Sequence, residues 1–178
     1  MTDYELTRRD ALAALAASGA AVGAAALTWD SLSGDELGER ERATLLAVAR
    51  TVYPTAVSGV DSFVETYVVG RIEDRPEYAA GVRDAVRALD EHCRAWQDAP
   101  FRELSANGRD AALRDLGVGR SDPDPDGDRA ARIRYYLVNE LLYALFTSPT
   151  GGRLVGLENP QGYPGGTDSY QRPPPDER

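Results

Sequence analysis

Lysine, cysteine and histidine are the scarce residues of this 178-residue chain. It contains no lysine, one cysteine and one histidine. One cysteine excludes an internal disulfide, and one cysteine with one histidine excludes a Cys/His zinc site or a CxxCH haem attachment within the chain. The GxGxxG, P-loop, GxSxG, HExxH and CxxC motifs do not occur either. We therefore expect no catalytic residues, no metal site and no cofactor in this chain.

Charge of one sign is also in excess. All twenty basic residues are arginine, and the acidic residues outnumber them to give a formal net charge of −9. Such a surface repels nucleic acid and anionic lipid headgroups, so neither is an expected partner. An acidic excess without lysine is typical of proteins from salt-rich habitats. The composition thus predicts a halophilic source, as in halophilic archaea.

The N-terminal segment carries two adjacent arginines before a long run of small and apolar residues. Arg8 and Arg9 precede the seventeen residues from Ala11 to Leu27, and Ala24-Ala25-Ala26 offers an A-x-A cleavage site. This pattern is typical of a twin-arginine signal, which directs export of folded proteins. As a helix the run reaches roughly 25 Å, short for a bilayer core of about 30 Å. We predict that residues 1–27 are an export signal and that the protein acts outside the cytoplasm.

Two alternatives to a removable signal stay open. An uncleaved segment would act as a weak anchor in the membrane, and an ordinary N-terminal helix would be buried in the domain. The lack of a recurring polar face between Ala11 and Leu27 argues against an amphipathic helix. Since Cys93 is the only thiol, the chain has no lipid-acceptor cysteine near the cleavage site.

Hydrophobic periodicity predicts an all-α fold, a small irregular bundle of about five helices within residues 34–158, joined to the signal by a linker at 28–33. The start of the first helix is assigned from a capping box between Ser33 and Glu36. The helices are predicted over 34–53, Asp61 through Ile72, Pro76 through Trp96, Ser105 to a C-terminal Gly117, and 128–146. In the third helix an apolar seam is formed by Val82, Val86, Leu89, Cys93 and Trp96.

The composition changes after Ser148, where glycine and proline become dense. Residues 159–178 are predicted to be an irregular Gly/Pro-rich tail, because such a segment buries too little apolar surface to offset the entropy of ordering. For residues 151–163 we predict an irregular segment that becomes ordered against another surface.

Two motifs that suggest chemistry have simpler explanations. The acidic loop from Asp122 to Asp128 matches the first half of an EF-hand loop, but Ile133 stands where the bidentate glutamate belongs, so a solvated loop is predicted. His92 and Cys93 are neighbours on one helix and point about 100° apart, which disfavours a nucleophile–base pair. Cys93 is predicted to be a buried apolar residue.

The last helix is aromatic on more than one side. Tyr135, Tyr136, Tyr143 and Phe146 either pack in the core with exposed hydroxyls or present one side to a partner protein, because aromatic residues are enriched at interfaces. Glu140, in the middle of this helix, would be costly to bury without a partner.

The order of several stretches resembles one protein family, the small third subunit (gamma chain) of gluconate 2-dehydrogenase. The resemblance covers nearly the whole chain, from the twin-arginine start onward. It is carried by LLAVARTVYPTAVSGVDSFVETYV (45–68), FRELSANGRDAALRDLG (101–117) and YYLVNELLYALFTSPTGGRLVGLENPQGYPGG (135–166).

The resemblance implies an accessory subunit with no catalysis of its own. Such subunits accompany a large FAD-containing dehydrogenase of the glucose-methanol-choline type, often with a multihaem cytochrome c, and the large subunit is thought to be exported with the small one. The partner-contact candidates are Tyr135, Tyr136, Tyr143, Tyr163, Pro164 and Gly165. A free-standing exported helical protein, with a binding or structural role, is the alternative, and an autonomous enzyme is the least favoured hypothesis.

Overall fold

The structure, a computed structural model, describes residues 4–19, 28–32, 36–72 and 75–156. Regular structure in these ranges is almost entirely helical, which confirms the all-α prediction. The helices are α1 (Arg8–Ala17), α2 (Glu39–Val52), α3 (Val60–Ile72), α4 (Pro76–Gln97), α5 (Ala106–Asp115), α6 (Arg129–Ile133), α7 (Glu140–Thr147) and α8 (Pro149–Leu154). A π-helical turn (Arg134–Asn139) joins α6 to α7, and 3-10 turns lie at Trp29–Ser31 and Phe101–Glu103. No helix in the described ranges is both long enough and apolar enough to cross a bilayer.

Several helix boundaries lie where local capping chemistry predicts them. Pro76 is the first residue of α4, where its missing N–H costs no hydrogen bond. The Ser105 hydroxyl accepts the Gly108 amide at 3.2 Å and caps α5. The Asp128 carboxylate accepts the Ala131 amide at 3.0 Å and caps α6. Gly117 follows α5 with φ of +73°, as expected of a residue that ends a helix.

The predicted start of the first bundle helix is wrong. Helix α2 begins at Glu39, five residues after the predicted residue 34, and its N-cap is Gly38. The Gly38 amide donates to the Glu41 carboxylate at 3.1 Å. Glu41 therefore makes the bond that the sequence assigned to Glu36, and Ser33 lies outside the described residues. The buried Leu37 just before the cap fixes the direction in which the chain enters α2.

The apolar seam of α4 is confirmed over three turns and fails at its last member. Cys93 is fully buried together with the seam residues before it, whereas Trp96 is 77% exposed. Phe101, in the 3-10 turn after α4, is fully buried beneath this end of the helix. The chain that folds back thus supplies the aromatic ring that the seam predicted from Trp96.

A buried carboxylate ties this turn to two helices. The Asp90 side chain is fully buried, and one of its oxygens accepts the Phe101 amide at 3.1 Å. The other oxygen lies 3.0 Å from Arg40 of α2 and 3.5 Å from both Arg94 and Arg102. A buried charge persists only when it is paired in this way, so Asp90 fixes α2, α4 and the turn relative to one another.

The N-terminal segment is part of the same core. Leu6, Ala11, Ala14 and Leu15 are at most 2% exposed, and α1 packs mainly against α3, with further contacts to α7 and α8. The structure therefore differs from the predicted division, in which residues 1–27 stand apart from a domain that begins at residue 34. The role of this segment as an export signal stays a prediction.

Backbone pairing and one side chain hold the segment in place. Tyr4–Glu5 (β1) pairs in parallel with Val57–Ser58 (β2), and the Leu6 amide continues the pairing to the Ser58 carbonyl at 3.0 Å. Asp10 completes a capping box with Thr7 at the start of α1. Its other carboxylate oxygen accepts the Thr150 amide of α8 at 2.9 Å. The two ends of the described chain are thus joined directly.

Two segments predicted to be irregular are ordered. In the predicted linker 28–33, the Trp29 amide donates to Glu65 of α3 at 2.9 Å, and the Arg42 guanidinium lies 5.5 Å from the Trp29 ring centroid. Residues 149–154, partly within the predicted irregular segment, form α8, because the Ser148 hydroxyl caps its first turn by accepting the Gly151 amide at 3.0 Å. The predicted tail at 159–178 lies outside the described residues.

Gly59→Ala tests the docking of the N-terminal strand. Gly59 has φ of +71°, and a Cβ there would lie 2.1 Å from the Leu6 carbonyl oxygen. Gly117→Ala is the matched control, since Gly117 has φ of +73° and open space around it. Both substitutions carry the cost of a left-handed backbone, about 1–2 kcal/mol, and we expect a larger loss for Gly59→Ala. Urea unfolding measures both, and equal losses would argue against this docking.

Asp10→Asn tests the tie between α1 and α8 through pH. Burial by itself would raise the pKa of the Asp10 carboxyl, but hydrogen bonds from Thr7 and Thr150 together lower it below its usual value. A lowered pKa in the folded state stabilises the protein above the unfolded pKa of about 3.9, and this contribution is lost as pH falls through the folded value. We expect Asp10→Asn to cost about 1–3 kcal/mol at pH 7. The difference from the unsubstituted protein should shrink below pH 4 in urea titrations; a difference independent of pH would contradict the assignment.

Candidate functional site

A polar cluster lies between α3, α4 and the start of α7. The Glu140 carboxylate accepts hydrogen bonds from the Tyr67 hydroxyl at 2.7 Å and from Arg71 Nε at 2.5 Å. The Arg71 guanidinium also lies over the Tyr78 ring, 5.2 Å from its centroid. Glu140 is thus buried with partners, as its central position in an apolar helix requires.

The cluster keeps fixed protonation states around neutral pH. Burial, reinforced by the Glu140 carboxylate, raises the pKa values of Tyr67 and Tyr78 far above their usual value. Burial alone would lower the pKa of Arg71, but the bond to Glu140 and its charge raise it overall. The hydroxyls therefore stay protonated and Arg71 stays charged, so the cluster acts as a structural tie between helices rather than as a group that exchanges protons.

The cleft above this cluster is small. It encloses about 250 Å³, open solvent included, between apolar residues of α2, α3 and α4 and the ring of Tyr136. Ligand pockets usually measure about 300–1,000 Å³ without such open space. The arrangement therefore does not offer a binding site for a sugar or a flavin among the described residues.

The structure separates the three predicted contact tyrosines of the last helix. Tyr136 packs between α4 and the π-helical turn, since a Cβ on Gly81 would lie 2.3 Å from its ring, and its centroid is 5.5 Å from that of Tyr78. Tyr135 is half-buried and meets the Tyr136 ring edge-on at 4.8 Å. Tyr143 is exposed, and its hydroxyl donates to the Ala17 carbonyl of α1 at 3.1 Å. Packing accounts for Tyr136, and Tyr143 is the one free to contact a partner.

The other predicted residues lie in several places. Arg8 and Arg9 are exposed on the first turn of α1. Cys93 is buried, which raises the pKa of its thiol to about 11, while burial and the nearby Arg129 lower the pKa of His92. Tyr163, Pro164 and Gly165 lie outside the described residues.

The acidic loop serves helix capping. Asp128 caps α6, and the Asp124 carboxylate accepts the Asp126 amide at 2.9 Å in a local turn. Within the described ranges, no three His, Cys, Asp or Glu residues are grouped so that they could hold a metal ion.

Exposed large apolar side chains are concentrated at one end of the molecule. Among the described residues they are Leu12, Trp96, Tyr143, Phe146 and Val155. All except Trp96 lie on α1, on α7 or directly after α8, and these three helices contact one another. We call the surface of Leu12, Tyr143, Phe146 and Val155 the α1–α7 face. The sequence indicates the aromatic members through the pattern of the last helix, but it assigns Leu12 to the export signal.

A double-mutant cycle tests the polar cluster. Glu140→Leu leaves the Arg71 cation and the Tyr67 hydroxyl half-buried without their acceptor, so we expect a loss of about 3 kcal/mol in unfolding free energy. The pair of substitutions Arg71→Met and Glu140→Leu should recover most of it, because no unpaired charge remains. Asp61→Ala is the control: it breaks the exposed pair with Arg50 and should cost less than about 1 kcal/mol. A double variant no more stable than Glu140→Leu would contradict this view.

Comparison with known proteins places the chain in a family. No curated protein and no solved structure matches it significantly. One protein-family model, described as gluconate 2-dehydrogenase subunit 3, matches residues 39–165. The match begins at the first residue of α2 and spans every later helix, so α1 precedes it. Because the match covers well over half of the 178 residues, the chain belongs to the gluconate 2-dehydrogenase subunit 3 family.

Proposed function

We propose that this protein is the non-catalytic small (gamma) subunit of an exported FAD-dependent dehydrogenase of the glucose-methanol-choline type, such as gluconate 2-dehydrogenase. Family membership indicates an accessory subunit of a dehydrogenase complex. The proposal adds that the flavin, and haem where a cytochrome c takes part, belong to partner subunits. The substrate of the complex would be a sugar or an alcohol.

One structural observation supports the absence of catalysis in this subunit. The buried ionisable groups hold helices together: Asp90 joins α2 to α4, Glu140 joins α3 to α7, and Asp10 joins α1 to α8. Each is engaged by hydrogen bonds or arginine side chains, so none is left free beside a cleft. A subunit built in this way contributes packing surface and stability to a complex.

The position of the arginine pair supports a role in export. Arg8 and Arg9 lie exposed on the first turn of α1, so the folded domain presents them without unfolding. Since α1 is packed into the core, cleavage at Ala24–Ala26 would detach a core helix. The proposal therefore takes the segment as retained after export, and a flavoprotein subunit without its own signal would travel with it.

The experiment is purification of the tagged chain from its native host at native salt. We expect a flavoprotein in the eluate, detected by flavin absorbance, and an intact mass that includes α1. Arg8→Lys combined with Arg9→Lys should keep both proteins in the cytoplasm, while the unfolding midpoint stays unchanged because both side chains are exposed.

Three results would contradict the proposal. The first is recovery of the chain with no flavoprotein partner. The second is oxidation of a sugar or an alcohol by the isolated chain, or stoichiometric flavin binding to it. The third is normal export of the flavoprotein with the double lysine variant, which would remove the carrier role.

A further inference from the structure

We propose that the α1–α7 face is the surface by which this subunit docks onto the flavoprotein subunit. This inference rests on the proposed function and adds the location of the contact and the chemistry of the surface that fits it. It also gives α1 a second role, since the face is incomplete without this helix.

The concentration of apolar groups is the first argument. Leu12, Tyr143 and Phe146 are each 41% exposed and Val155 is 55% exposed. Apolar side chains scattered singly over a surface need no explanation, whereas grouped ones mark interaction sites. Two of the four are aromatic, the type most enriched at the centre of protein interfaces.

The rigidity of the face is the second argument. The Tyr143 hydroxyl fixes α7 to the end of α1, and Asp10 fixes α1 to α8. Helices α7 and α8 approach so closely that a Cβ on Gly151 would lie 1.8 Å from the Leu145 carbonyl oxygen. A surface held in this way loses little conformational entropy on binding, which favours affinity.

The charge around the face indicates the chemistry of the partner. The exposed charged side chains on β1, α1 and α8 are Arg8, Arg9 and Arg153 against the single carboxylate of Glu5. The chain as a whole has a formal net charge of −9, so this end is locally positive. The complementary surface on the flavoprotein subunit is therefore an apolar patch bordered by carboxylates, because guanidinium groups pair with carboxylates in bidentate geometry.

Glutamate substitutions on the face test the inference. Phe146→Glu and Leu12→Glu place a charge where apolar contact is proposed, and Trp96→Glu is the matched control at an exposed apolar position far from the face. Each variant is purified from the native host, and flavin absorbance per subunit is compared with helix content and unfolding midpoint. We expect at least a tenfold loss of flavin for the two face variants, no loss for Trp96→Glu, and folding unchanged in all three.

A charge reversal provides a second readout that avoids the apolar core altogether. Arg153→Glu should reduce flavin recovery several-fold at low salt and less at high salt, because exposed ion pairs are screened. Full recovery with Arg153→Glu at low salt would overturn the acidic border assigned to the partner.

The outcomes separate this inference from the proposed function. If the unsubstituted chain and both face variants recover equal flavin, or if Trp96→Glu alone loses it, the docking site is wrong and the proposed function stands. If the unsubstituted chain recovers no flavoprotein, both are overturned.

Three further results would assign the face to another occupant and overturn the inference. The first is an isolated subunit that light scattering shows to be a dimer and that Phe146→Glu makes monomeric. The second is flotation with phosphatidylglycerol vesicles that Phe146→Glu abolishes while flavin recovery is kept. The third is hydrogen-exchange protection of residues 157–178 that the same substitution removes.

Discussion

The hydrogen bond from the Thr150 amide to the Asp10 carboxylate joins residues 140 positions apart. It closes α1 and α8 onto each other, and the arrangement of the other helices at this end depends on it. With α1 in place, Leu6 and Leu15 are buried and α3 is covered. The carboxylate also caps α1 itself through Thr7, so a single side chain both starts the helix and holds it against the domain.

The same physical constraint recurs at two other points of the interior. A charge removed from water needs compensating partners, and Asp90 and Glu140 each draw theirs from different helices. Each carboxylate thereby fixes a relative position that apolar packing alone leaves adjustable. Apolar contacts supply most of the stabilisation, while these three carboxylates decide which helices meet. For an accessory subunit this is a useful division, because a partner needs a surface of fixed shape.

The N-terminal helix combines demands that the sequence alone presents as alternatives. Its arginine pair and its run of small residues suit an export signal, while its buried face completes the core. Both are compatible in the structure, because Arg8 and Arg9 point to solvent while Ala11 and Leu15 point inward. The small side chains that make the run only mildly apolar also let α1 lie close to α3.

Local sequence determined the helices and many of their ends, since Pro76, Ser105 and Asp128 act on residues within one turn. It also determined the all-α class, through apolar spacing, and the membership of the family, through the order of its stretches. Only the tertiary structure decided that α1 belongs to the core, that Phe101 rather than Trp96 fills the end of α4, and that Glu140 meets Arg71. These outcomes depend on contacts between residues far apart in the chain, and a periodic pattern reports which face of a helix is apolar but not what covers it.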